Sequence, residues 1–372
     1  MNRDGFDCAL ETTLLILSPQ WQIETSRSRS FRFDLISEWM RSPWVKQLVA
    51  RLAAAAMLAC TAEAQGAQPL QFVRAIPLPD VNGRIDHCAA DVGGQRLFVC
   101  ALGNDSVEVI DLKEGERIHS IRGLGAPQGV VYVPETDRLF VANDRGGRVN
   151  VYHGKSFEPA GSVDFKDDAD NMRYDAAAKR VYVGYGSGAL AVLDAQGAKV
   201  LGNISLAAHP ESFQLEQKGS RIFVNVPSAR QVAVVDRRKG ETVATWGTGS
   251  GSANFPMALD EGNARLFIGF RIPAKLVVLD ASSGKVVASL SISGDTDDVF
   301  YDAKRRRIYA ICGAGSIDVI QQQDADHYAF AATIKTASGA RAGLFIPELN
   351  ALYVAVPHRD NQQAEIRQYA PQ

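Results

Sequence analysis

Charge of one sign is missing from this 372-residue chain: 40 Lys and Arg stand against 42 Asp and Glu, a net charge of −2. Without a basic excess there is no face to hold a phosphate backbone, which speaks against a nucleic-acid protein. Cysteine is scarce, five residues in all, with no Cys-x-x-Cys and no zinc spacing. Long apolar runs are lacking too. The stretch Leu52–Ala59 falls far short of the roughly 20 residues that span a bilayer, so no membrane span is expected. No Gly-x-Ser-x-Gly elbow is present. The Gly-rich Gly184–Gly188 lies between two strand patterns with no helix after it, which excludes a phosphate loop. What the chain does have is 46% hydrophobic residues, enough for a large core. Its 32 glycines exceed the usual ~7% and fit a chain full of tight turns.

The first 64 residues differ from the rest. From Met40, three positive charges (Arg41, Lys46, Arg51) precede the apolar Leu52–Ala59, and Ala62-Glu63-Ala64 follows. A basic segment, a short apolar segment and an A-x-A site make a secretory signal. The expected organisation is therefore an upstream extension over residues 1–39 from a misassigned start, a signal peptide over 40–64, and a mature chain from Gln65 that is periplasmic or secreted. Met57-Leu58-Ala59-Cys60 loosely matches a lipoprotein box, so a lipid anchor at Cys60 is the alternative route.

After residue 64 a short strand recurs seven times, every 41 to 44 residues: Leu97-Phe98-Val99, Leu139-Phe140-Val141, Val181-Tyr182-Val183, Ile222-Phe223-Val224, Leu266-Phe267-Ile268, Ile308-Tyr309-Ala310 and Leu352-Tyr353-Val354. An Arg stands just before each of the first six. About ten residues later comes an alternating strand such as Val107–Asp111 or Leu276–Asp280, then a Gly or Asp turn and an outer strand. Units of about 44 residues with four strands each are propeller blades. The fold class is thus all-β, a seven-bladed β-propeller over residues 65–372. The last unit lacks its outer strand, while Phe72–Ile76 stands spare before the first. Pairing the two closes the ring and removes two open edges.

Leu139-Phe140-Val141-Ala142-Asn143-Asp144, with Val107–Asp111 and Gly284–Ala288, resembles the YVTN repeat of the YncE-like secreted bacterial propellers. The resemblance covers residues 71–370. It implies export and a binding role. Related propellers include metal-dependent lactonases and lyases, so the resemblance leaves an enzyme open. The Gly-His and Trp-Asp signature of WD40 repeats is absent.

A blade's first strand lines the central channel, and its entry end opens on one face. Ten to thirteen residues before the anchors stand Asp86 and His87, Gln128, Asp170 and Asn171, His209 and Glu211, Asn254, Asp297 and Asp298, and Arg341, with Arg173 nearby. Val130, Met172, Phe213, Met257 and Val299 follow and are expected between blades. The polar groups are expected to meet in one funnel. Crowded carboxylates repel unless a cation or proton intervenes. Their oxygens suit Ca²⁺ or Mg²⁺; His87 and His209 suit a transition metal or proton transfer instead. A water-filled channel satisfies the same groups, and an Arg341–Asp298 pair is the structural alternative. Of Asp297 and Asp298, one is expected in the funnel and the other on the turn.

Two functions fit. One is a monomeric scaffold that holds a small molecule or exported protein in the funnel. The other is a lyase or lactonase with His87 and Glu211 as acid and base, and Glu211, Asn171, Asn254 and Asp298 around a cation. Cys88 and Cys100 come nearly opposite in one hairpin, where two buried thiols are favoured over a disulfide. Lys304–Arg307 is expected to be a solvated hairpin tip.

Overall fold

A computed structural model describes residues 68–372 except Ala198, and before them only Pro43 and Gln47. The signal-peptide and extension readings lie outside these residues. From Leu70 on, the chain forms seven four-stranded antiparallel sheets. Six are built from consecutive strands, beginning with the innermost: Cys88–Asp91, Pro127–Val133, Ala169–Asp175, Phe213–Leu215, Ser252–Asp260 and Thr296–Asp302. The seventh runs Ala342–Ile346, Ala351–Val356 and Glu365–Pro371, and Leu70–Pro77 completes it. Each innermost strand touches the next, and that of blade 7 touches that of blade 1, so the ring is closed. The expected closure is the observed one: Leu70 pairs with Pro371, Phe72 with Tyr369 and Pro77 with Glu365.

The recurring strand is the second of each blade. Its three anchor residues are buried in every blade because sheets pack on both of its faces. Successive residues point to opposite faces. The central aromatic therefore enters the interface with the following blade: Phe98 packs with Val130 and Leu139, and Phe223 with Met257 and Leu266. Outer strands alternate half-buried with exposed residues, as in Val286–Ser291, since only one neighbour covers them.

In four of the six blades the Arg before the anchor has a structural role that the repeat did not reveal. Arg96 donates to the Gly154 carbonyl of the next blade at 2.5 Å, Arg221 to Ala281 at 2.6 Å, and Arg265 to Ala325 at 2.9 Å. These latches join neighbouring blades at the hairpins farthest from the channel entry. In blade 6 the same device secures the ring closure. Arg307 donates to the carbonyls of Gln372 (2.6 Å) and Pro69 (3.2 Å), and Arg305 to those of Pro371 (2.8 Å) and Gln372 (3.1 Å). Lys304–Arg307 is accordingly no simple solvated tip. Arg305 and Arg307 bind the chain segments that complete blade 7, while Lys304 and Arg306 stay exposed.

Cys88 pairs in register with Val99, not Cys100, and Cys88, Cys100 and Cys312 are free thiols.

Candidate functional site

Four innermost strands carry a register shift at the channel entry: between Pro127 and Gly129, Ala169 and Met172, Asn254 and Met257, and Thr296 and Asp298. A bulge adds an unpaired residue and re-aims side chains. Gln128, Asp170, Asn171, Phe255, Pro256 and Asp297 are the residues so displaced. Flat alternation would turn one of each adjacent pair away; the bulges free adjacent residues to reach separate partners across the mouth.

Two clusters result. In the first, His87 lies between two acids, with Nδ1 3.4 Å from Asp298 and Nε2 3.7 Å from Asp86. Arg84 also pairs with Asp86. Asp298 accepts the Gly343 backbone N–H at 2.8 Å, so it joins blades 1, 6 and 7. Asp297 binds Arg271 at 2.5 Å and Arg341 at 3.3 Å, and Arg341 also holds Asp295 at 2.9 Å. One expectation and one structural alternative are corrected here. Both Asp297 and Asp298 bridge blades, neither merely caps its turn, and the partners of Arg341 are Asp295 and Asp297 rather than Asp298.

The second cluster lies between blades 3 and 4. Asp170, His209 and Glu211 each bring one donor atom within 4.8 Å of the others. His209 Nε2 stands 3.7 Å from Asp168 and 3.8 Å from Asp170. Pro210 sits where a side chain on Gly184 would be, 3.0 Å from an added Cβ, which seats His209 over Gly186. Gln128 donates to Asp168 at 2.8 Å.

Of the donors expected around one cation, Glu211 lies in this second cluster, Asp298 in the first, and Asn171 beside the channel cavity. Asn254 is fully buried and donates to Asn225 (3.0 Å) and to the Gln231 carbonyl (3.2 Å), clamping blade 5 to blade 4. Glu211 and Asp298 thus belong to different clusters, and the Asn254 side-chain oxygen is left without a partner among the described residues. Below the mouth, a cavity of about 350 Å³ runs along the channel, lined by His87, Asn171, Arg173, Gln214 and Asp298 among others. The Asn171 side-chain oxygen is buried there without a partner. Arg84, Asp168, Arg271 and Asp295 complete the site and were not singled out from the sequence. Asp168 had a signal in its place two residues before Asp170; the others had none in the repeat.

The protonation pattern follows from crowding. Burial works against a charged His87, but Asp298 and Asp86 outweigh it and lift the imidazole to about 10. His209 is likewise disfavoured as a cation by burial and raised to about 9 by Asp170, the Gly186 carbonyl and Asp168. Burial, then Asp170 and Asp297, push the Glu211 carboxyl up to about 9. Asp168 and Asp297 rise to about 6, mainly through burial. Crowding thus favours the protonated forms of both histidines and of Glu211.

All five shifts are upward, so the folded state holds more protons than the unfolded one, and stability falls as pH rises. For His87 the contribution is complete below its ordinary 6.5 and gone above about 10. The melting temperature, measured with chelator present, is expected to drop by several degrees between pH 6.5 and 10. His87→Gln should reduce that slope, because Asp86 and Asp298 lose their titrating imidazole, while His209 still faces Asp170 and Glu211 and keeps the remainder. An equal slope in the variant would refute the assignment.

No family model matches the chain, and no curated protein sequence does. Solved structures do. A chain of the mitotic checkpoint complex crystal structure aligns over 81% of this chain and 91% of its own, with TM-score 0.69 and 13% identity. A chain of hydrazine synthase from Kuenenia stuttgartiensis aligns over 74% of this chain and 93% of its own, with TM-score 0.65 and 15% identity. At such identities the likeness is one of fold, and the fold is the seven-bladed β-propeller.

Proposed function

We propose that this chain is an exported, periplasmic propeller that works as a binding scaffold, holding a small molecule or an exported protein at the polar mouth of its channel. One observation carries the reading: polar groups from separate blades converge on one mouth, above a cavity of about 350 Å³. Closed rings fix such groups at equal radius, so the site is held rigid before a ligand arrives, which reduces the ordering penalty on binding. Arg173 is half-buried beside Asn171 and Asp298, and burial lowers its pKa even though Asp298 and Asp170 favour its charge. An incoming anionic or hydrogen-bonding group would offset that loss of solvation. The order of basic, apolar and A-x-A segments from Arg41 to Ala64 supports export, as does the resemblance to YncE-like proteins.

A thermal-shift screen of periplasmic metabolites tests the scaffold. A ligand at 100 times its Kd should stabilise by about 2.7 kcal/mol, and Arg173→Ala should abolish the shift. Failure of every metabolite, together with failure to retain any exported protein, would sink the reading. The second reading, a metal-assisted lyase or lactonase, is favoured by the closeness of Asp170, His209 and Glu211.

A further inference from the structure

The second cluster has three properties that a mere patch of acids lacks. First, the His209 ring is oriented. Its Nδ1 lies 2.7 Å from the Gly186 carbonyl, which can only accept, so Nδ1 carries the proton and Nε2 faces the carboxylates. Metal-bound histidines are commonly fixed in this way, with the second ring nitrogen donating to a carbonyl or carboxylate. Second, Asp168 is oriented too: Gln128 holds one oxygen, and the other faces His209. Third, Asp170 is only 6% exposed, and among the described residues its one salt-bridge partner is His209 Nε2, at 3.8 Å. A carboxylate this buried needs a counter-charge, and a cation would supply it more directly than an imidazole at that distance.

The spacing is that of a loose ion pair, and it also leaves room for a cation between the donors. Nε2 stands 3.7 and 3.8 Å from the two aspartates, beyond hydrogen-bond range. Donors about 2.1 Å from a shared tetrahedral metal lie roughly 3.4 Å apart, so His209 and the aspartates need only a small contraction, while Glu211, within 4.8 Å of Asp170 and His209, has to turn further in. We infer that Asp170, His209 and Glu211, with Asp168 beside them, form a site for one divalent first-row transition ion. The imidazole decides the class. Ca²⁺ and Mg²⁺ take oxygen donors, whereas a mixed nitrogen and carboxylate set suits the ions from Mn²⁺ to Zn²⁺. This deepens the reading of the mouth as a binding site and replaces the hard cation expected from the acid count.

The test is calorimetric titration of chelator-treated protein at pH 7.5 with Zn²⁺, Mn²⁺ and Ca²⁺ separately. One Zn²⁺ per chain is expected, with Ca²⁺ at least 100-fold weaker. His209→Ala and Glu211→Gln should each weaken Zn²⁺ by at least tenfold while circular dichroism stays unchanged. Should His209→Ala fail to fold, Asp168→Asn serves, with a smaller loss expected. Quenching of the Mn²⁺ paramagnetic resonance signal by the wild type but not by Glu211→Gln gives a second readout. No binding of Zn²⁺ or Mn²⁺, equal affinity for Ca²⁺ and Zn²⁺, or Zn²⁺ binding unaltered in the variants would overturn the site. Because the probe is the metal alone, metal binding without any metabolite or partner refutes the scaffold and keeps the site. A metabolite bound without metal does the reverse.

Discussion

Replacing residues 70–77 with a flexible eight-residue Gly/Ser linker should lower the melting temperature by about 10 °C or more and promote self-association. The replaced strand, Leu70–Pro77, holds the outer edge of blade 7 and pairs from Leu70 to Pro77 against Pro371 to Glu365. Leu70 and Ile76 are almost wholly buried, in the clusters between blades 6 and 7 and between blades 7 and 1 respectively. Losing two such side chains costs about 3–6 kcal/mol. Phe72 also leaves the edge of the Tyr369 ring, 5.8 Å between centroids. At about 2 °C per kcal/mol for a domain this large, the two side chains give about 6–12 °C, and the lost strand pairing adds to it. Self-association follows because Glu365–Pro371 becomes an open edge. Arg307→Ala should reproduce a fraction of the loss, since it removes two donors to the closing segments. A linker variant that melts within 2 °C of wild type and stays monomeric would show that blade 7 is stable with three strands.

The ring was legible because its signal is repeated. Each anchor must be buried on both faces, and seven copies of the same requirement stand out where one would not. The equal radius of equivalent positions also made the mouth legible as a ring of polar residues. What the repeat could not supply is whatever joins unlike blades. His87 meets Asp298 from blade 6, and Asp297 meets Arg271 from blade 5 and Arg341 from blade 7. Such partners have no fixed spacing along the chain. Bulges hid the rest. Asn254 shares the position of the other candidates, but the irregular Asn254–Met257 segment turns its amide toward Asn225. Lys304–Arg307 reads as a solvated tip because its partners are backbone carbonyls of the two chain segments that close the ring, which sequence does not advertise.

The closeness of the blades at the channel gives the second large effect. Gly129 lies on the innermost strand of blade 2, just past its bulge. A Cβ there would stand 2.1 Å from the Asp170 carbonyl oxygen and 2.9 Å from its carbonyl carbon. Both are backbone atoms of blade 3, so no side chain can swing aside. Gly129 is not held in a left-handed conformation, and the penalty of Gly129→Ala is therefore steric alone. Overpacking costs about 1–3 kcal/mol where side chains can adjust, and more where backbone must move. The expected fall in melting temperature is about 5 °C or more. The strain falls on Asp170, whose carboxylate faces His209, so Zn²⁺ affinity should drop at least tenfold although the substituted residue touches no metal donor. Gly202→Ala, on the outer strand Val200–Ser205 with nothing within 4 Å of the added carbon, is the matched control and should change neither quantity. A Gly129→Ala protein as stable as wild type would mean that blades 2 and 3 are free to separate at the mouth. Wild-type stability combined with lost Zn²⁺ binding would locate that freedom in the Asp170 bulge itself.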